Sequence, residues 1–165
     1  MHVRIPHPEY VSLSASDNTL FIGYEMIEGI PLSDDIFHST KDKQKLADEL
    51  GSFLKTLHGV EAGSALDMEA DFGTSNILIH PETGALAGVI DFGDSGLGDP
   101  ALDFAALYAQ YGEGFLEMCK ASYGGMERVQ ERLDFYARTF ALQEALFGIE
   151  NDDKAAFENG IRTYI

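Results

Sequence analysis

The chain has 165 residues, enough for one domain of ordinary size, and 45% of them are hydrophobic, which excludes a disordered segment. Its formal charge is −17, from 11 basic and 28 acidic residues. That field opposes a nucleic-acid backbone and would concentrate a cationic small molecule, although an acidic surface also serves solubility alone. Apolar runs such as Leu86 to Ile90 are far too short for a membrane span, and Met1 to Pro6 lacks the apolar stretch of a signal peptide. The single cysteine, Cys119, reads as a packing residue, in keeping with a cytoplasmic setting.

In chain order, Tyr10 to Ser14 and Thr19 to Ile27 are rich in β-branched and aromatic residues around the turn former Ser16-Asp17-Asn18, which predicts two strands. Gly29 and Pro31 break the chain. Lys41 to His58 is predicted helical, because Leu46, Leu50, Phe53, Leu54 and Leu57 recur at steps of three and four. Ser39 or Thr40 is its expected N-cap and Gly59 its end. Val60 to Met68 is small and polar and reads as a connector. Ile77-Leu78-Ile79 and Leu86 to Ile90 are predicted strands joined by the turn Pro81-Glu82-Thr83-Gly84. Asp99 and Pro100 open a helical region that runs to Ile165, with breaks at Gly112, at Gly124-Gly125 and around Asn151 to Asp153. The fold class is α+β.

Chemistry concentrates between Asp71 and Asp103. Asp71 and Asn76 stand just before the first strand of the second hairpin, and Ile90-Asp91-Phe92-Gly93-Asp94 just after its second. A hairpin returns the end of its second strand to the start of its first, so Asp71, Asn76 and Asp91 are expected at one edge. Two carboxylates and an amide oxygen are hard ligands that suit Mg²⁺ and a phosphate-bearing substrate, and suit zinc or copper poorly. Phosphoryl transfer uses such a set: one Asp takes the proton of the attacking hydroxyl, while an Asn and a second Asp hold metal. The order Asp-x₄-Asn then Asp-Phe-Gly matches the protein-kinase template. The competing reading is a hairpin with acidic turns and no metal.

With these motifs, Phe72 to Ala106 resembles the catalytic segment of aminoglycoside and related phosphotransferases, with Ile90-Asp91-Phe92-Gly93-Asp94-Ser95-Gly96 especially close. The tail Phe135 to Ile165 is most similar to the aminoglycoside 2''-phosphotransferase branch, and Tyr24 to Gly29 looks like the hinge before the helix ending in Leu57-His58. The resemblance implies a protein-kinase-like catalytic lobe (31–165) with a remnant of the small β lobe and hinge (1–30). It further implies ATP or GTP as phosphoryl donor, Mg²⁺ as cofactor and an aminoglycoside-like acceptor. Carried onto this sequence, Asp71 falls at the catalytic base, Asn76 and Asp91 at the metal ligands, and Glu25 and Ile27 at the hinge that meets the purine. Asp99 is expected to cap a helix and Asp103 to brace the catalytic loop. Glu144, Glu150, Asp152 and Asp153 are solvated helix positions with the option of meeting substrate ammonium groups.

The sequence departs from the family pattern in three ways. Glu69 stands where the family carries a His two residues before the catalytic Asp. Neither a glycine-rich loop nor a strand Lys is present, and Arg4 is the sole basic residue before Lys41. Only Gly59 to Ala70 separates the His58 helix from the catalytic segment, where the family has a long helical insertion. An abridged chain with impaired transfer is therefore expected, and the alternative is an inactive metal- or nucleotide-binding remnant or a structural fragment. Exposed sheet edges predict a homodimer or strand exchange through Tyr10 to Ile27.

Overall fold

The computed structural model describes residues 3–14, 16, 19–60, 67–69, 72–92, 96–162 and 164. Strands β1 (Pro8–Leu13) and β2 (Leu20–Tyr24) form an antiparallel hairpin, with Val11 opposite Ile22 and Leu13 opposite Leu20. Its two strands make a sheet of their own. Apolar side chains on both of its faces stay in solvent, among them Tyr10, Val11, Leu13, Phe21 and Ile22.

A second sheet has the order β3-β5-β6, from β3 (Ile30–Pro31), β5 (Ile77–Ile79) and β6 (Leu86–Val89), all antiparallel. The turn between β5 and β6 has Gly84 at φ 65°, a left-handed conformation that glycine adopts without steric cost. Arg4 lies alongside β6: its N–H donates to the Ala87 carbonyl at 3.3 Å, and its carbonyl accepts from Val89 at 3.0 Å. This approach needs Gly88, since a Cβ there would stand 2.6 Å from the Arg4 carbonyl oxygen.

The helix expected over Lys41 to His58 is present, and a further helix precedes it. A short α1 (Asp34–Ser39) comes first, and α2 spans Lys43–His58. Ser39 and Thr40, expected as N-caps, instead close α1, their hydroxyls donating back to the Ile36 carbonyl at 2.9 and 2.8 Å. Such hydroxyls serve either end of a helix, and here Asp42 supplies the better acceptor, taking the Lys45 N–H at 2.9 Å. Leu46, Leu50 and Leu54 are wholly buried, as the periodicity required, and Gly59 is the C-cap.

The connector expected over Val60 to Met68 ends differently. Asp67–Glu69 is a strand, β4, pairing antiparallel with β7 (Gly96–Gly98) so that Glu69 faces Gly96. Its sequence has no strand propensity, and only the partner far along the chain makes it one. Three helices complete the fold: α3 (Ala101–Tyr123), α4 (Glu127–Glu150) and α5 (Lys154–Ile161). Gly112 interrupts α3 at φ 78°, and Gly124 ends it. The core lies between α2, α3 and the three-stranded sheet and contains Leu32, Leu50, Phe72, Ile77, Val89, Phe104 and Leu107. Among the described residues, no helix is long and apolar enough to cross a membrane.

Candidate active site

Phe72 fixes the start of the motif segment. It is 1% exposed and stacks on Phe53 of α2, with ring centroids 5.9 Å apart. One turn of 3-10 helix, Thr74–Asn76, then leads into β5. The Asn76 N–H donates to the Gly73 carbonyl at 2.9 Å, and its carbonyl accepts from Ile90 N–H at 2.9 Å. Its side chain is buried and its Oδ1 accepts from the Ser75 hydroxyl at 3.2 Å. The amide is thereby held in one orientation at the end of the sheet.

The bond from Ile90 extends the β5–β6 ladder by one residue, so Asp91 is the first residue past the ladder on the strand facing Asn76. Asp91 has φ 60° and an exposed side chain, while Phe92 turns back against the core. Asp is one of the few side chains that visits this region, and backbone of this kind collects at ligand-holding positions. The main chains of Asn76 and Asp91 thus adjoin one end of the hairpin, where Asp71, Asn76 and Asp91 are expected to meet. Asp71 and Asp94 lie outside the described residues. In the sequence Asp71 comes two residues after Glu69, which pairs in the β4–β7 ladder, and directly before buried Phe72. The donors at the rim, an amide oxygen and a carboxylate, are hard oxygens that fit Mg²⁺. Among the described residues, no group of three His, Cys, Asp or Glu converges to hold a metal.

Glu25 and Ile27, expected at a hinge, lie on the stretch between β2 and β3. Ile27 is 9% exposed, whereas Met26 is 76% exposed. Among the described residues, no hydrogen bond takes up the main-chain groups of Glu25 or Ile27. Both line a cavity of about 220 Å³ with Val3, Arg4 and Ile5. Arg4 donates to the Glu25 carboxylate at 2.5 Å.

Two polar groups carry more than their sequence suggested. His58, the last residue of α2, is 7% exposed and held by two hydrogen bonds. Its Nε2 is 2.8 Å from Asp103 Oδ2, and its Nδ1 is 3.0 Å from the Tyr123 hydroxyl. A buried carboxylate needs such a partner, and the bond ties the end of α2 to the first turn of α3. Asp99 caps as expected, accepting from Ala101 N–H at 3.0 Å. It also takes a two-pronged bond from Arg132 on α4, at 2.5 and 2.9 Å, and the Tyr136 hydroxyl at 3.2 Å. The Arg132 hydrogen bond holds the Asp99 carboxyl below its ordinary range, against the opposing effect of burial. No sequence cue pointed to Arg132, because the partners are far apart in the chain. Cys119 is fully buried, and burial pushes its thiol up to about 12, as befits a packing residue. Glu144, Glu150 and Asp152 are exposed, and Asp153 is engaged in capping α5.

With this geometry, comparison with known proteins is informative. The model of the phosphotransferase enzyme family matches residues 70–136, which include the whole motif segment. Viomycin phosphotransferase of Streptomyces vinaceus is 35% identical over 100 residues, or 59% of this chain and 35% of that protein. The chain thus matches about a third of that relative's length. The structure of an aminoglycoside phosphotransferase, APH(2'')-IIIa, with GDP and kanamycin superposes with a TM-score of 0.82 at 19% identity, covering 98% of this chain and 74% of that one. A type I macrolide 2'-phosphotransferase superposes at 0.65 and 18% identity, over 96% and 71%. The class is therefore an α+β, protein-kinase-like fold, shared with the antibiotic phosphotransferases. Within it, residues 70–136 carry the sequence pattern of the phosphotransferase enzyme family.

Proposed function

We propose that this chain is the catalytic lobe of an antibiotic-type phosphotransferase, moving the γ-phosphoryl of ATP or GTP to a hydroxyl of a cationic, aminoglycoside-like molecule. The observation that carries this is the meeting of Asn76 and Asp91 at one end of the β5–β6 hairpin, with Asp91 in a left-handed conformation. Residues 1–30 serve as partial small lobe and hinge, and residues 31–165 as the catalytic lobe.

Asp71 accepts the proton of the attacking hydroxyl. Asn76 and Asp91 hold Mg²⁺, and Ser75 keeps the Asn76 amide turned for that purpose. Bound Mg²⁺ neutralises charge on the phosphates. Glu25 and Ile27 receive the purine through their main chain, in the cavity they line. The net charge of −17 draws in a polycation. GDP and kanamycin occupy the structurally similar APH(2'')-IIIa, which supports nucleotide and aminoglycoside as ligand classes. A cytoplasmic location goes with this reading. So does self-association through the Tyr10 to Ile27 hairpin, whose apolar side chains are exposed on both faces.

A second reading, metal and nucleotide binding with little turnover, is favoured by Glu69 and Arg4. Glu69 adds negative charge two residues before Asp71 in the sequence. Arg4, the one basic residue before Lys41, is engaged by Glu25 at the hinge. A coupled assay with kanamycin-type acceptors and ATP or GTP separates the readings: turnover lost in Asp71→Asn supports transfer. Nucleotide binding without turnover supports the second reading, and no binding at all removes both.

A further inference from the structure

Helices α3 and α4, with Tyr164 beyond α5, border a cavity of about 290 Å³ that shares no residue with the rim or with the hinge cavity. Its floor is small, because Ala137 and Ala141 stand four residues apart on one face of α4. Tyrosines wall it. Tyr108 of α3 is half-buried against the core, and Tyr164 is pinned across α4 by its hydroxyl, which donates to the Arg138 carbonyl at 2.7 Å.

Asp134 and Arg138 border the same space, one turn apart on α4. An acid and a base at that spacing readily pair on a helix surface. Here they do not pair with each other, and among the described residues neither charged group has a partner. Arg132 of the same helix is by contrast taken up by Asp99. The Tyr108 hydroxyl makes no hydrogen bond among the described residues either. One wall thus offers a carboxylate and a guanidinium side by side, over an apolar floor.

We propose that this cavity binds a small zwitterion, an α-amino acid with an aromatic or large apolar side chain. Arg138 gives the carboxylate a two-pronged donor, and Asp134 accepts from the ammonium. Residues four apart on a helix have Cβ atoms about 5–6 Å apart, so both charges of an α-amino acid, which flank a single carbon, fall between them. The ligand's side chain lies on the alanine floor between the tyrosine rings. Charge selects the class. A plain cation would meet Arg138 and a plain anion would meet Asp134, whereas a zwitterion leaves neither group opposed. Size agrees, since the cavity has room for on the order of ten non-hydrogen atoms, about the size of phenylalanine. Both charged groups are exposed, so the complex is weak, with Kd on the order of 1 mM, and weakens further with salt.

Calorimetric titration of L-phenylalanine into the full chain tests this independently of phosphoryl transfer. Saturable binding is expected, roughly tenfold weaker for phenethylamine and for 3-phenylpropionate, which each lack one charge. Asp134→Asn and Arg138→Gln alter exposed side chains, so circular dichroism should show the fold retained. Each should weaken L-phenylalanine roughly tenfold. Asp134→Asn should not weaken 3-phenylpropionate, and Arg138→Gln should not weaken phenethylamine. No saturable binding by the unaltered chain well above millimolar concentration would overturn the proposal. So would phenethylamine binding as tightly as L-phenylalanine, which would mark a plain cation site. L-phenylalanine binding unchanged in either variant would place the ligand elsewhere and overturn it as well.

Discussion

Asn76 and Asp91 stand at the same end of the β5–β6 hairpin, joined by the Ile90 N–H that donates to the Asn76 carbonyl at 2.9 Å. The hydrogen bond belongs to the ladder, so the juxtaposition is built into the sheet and does not depend on a flexible loop. Asp91→Asn should therefore leave the fold intact and weaken binding of Mg²⁺-nucleotide by roughly tenfold or more, since loss of even an outer-shell partner costs that much. Circular dichroism and a nucleotide titration check the two halves. Asp91→Gly should lose the same binding yet raise the melting temperature, because glycine removes the left-handed strain.

The His58–Asp103 bond is expected to carry stability. His58→Ala removes one partner of a carboxylate whose side chain is 0% exposed and should cost ~1–3 kcal/mol, read by urea unfolding.

Asp99 and Arg132 give a pH signature. The folded-state pKa of Asp99 is lowered, chiefly by its Arg132 hydrogen bond. A lowered carboxyl contributes stability that is complete above its unfolded value near ~4 and is lost as pH falls through the folded value. Arg132 is half-exposed, so solvent screening keeps the contribution of the pair to about 0.5–1 kcal/mol. Arg132→Ala should be less stable than the parent by that amount at neutral pH, and the gap should close on acidification below pH ~4. A constant gap at all pH values would mean that packing of the arginine stem, not charge, is lost.

Much of this arrangement is legible in the sequence, and the limits have physical causes. Helix α2 and the β5–β6 hairpin could be read because leucine period and turn chemistry are local. Cys119 and the glycine breaks at Gly112 and Gly124 were legible for the same reason. The rim of Asn76 and Asp91 followed from hairpin geometry alone. Strand β4 was missed because Asp67-Met68-Glu69 is a strand only through its pairing with β7. Helix α1 was missed because six residues are too few for a period to show. The roles of His58 and Arg132 depend on partners 45 and 33 residues away, which no local pattern announces.

Helices α2 and α3 touch at Gly51, where a Cβ would lie 2.7 Å from the Cys119 carbonyl oxygen. Gly51→Ala should therefore destabilise the lobe by ~1–3 kcal/mol despite the better helix propensity of alanine. An exposed control, Gly114→Ala, has nothing within 4 Å of the added methyl and should stabilise slightly. Thermal melts of the two variants side by side decide the matter.

Isothermal titration of ATP or GTP into the chain, with and without Mg²⁺, bears most directly on the rim. Binding should require the ion and should be lost in both Asn76→Ala and Asp91→Asn while circular dichroism shows the fold retained. Binding that is indifferent to Mg²⁺, or that survives both substitutions, would contradict the assignment of these two side chains as its metal-holding pair.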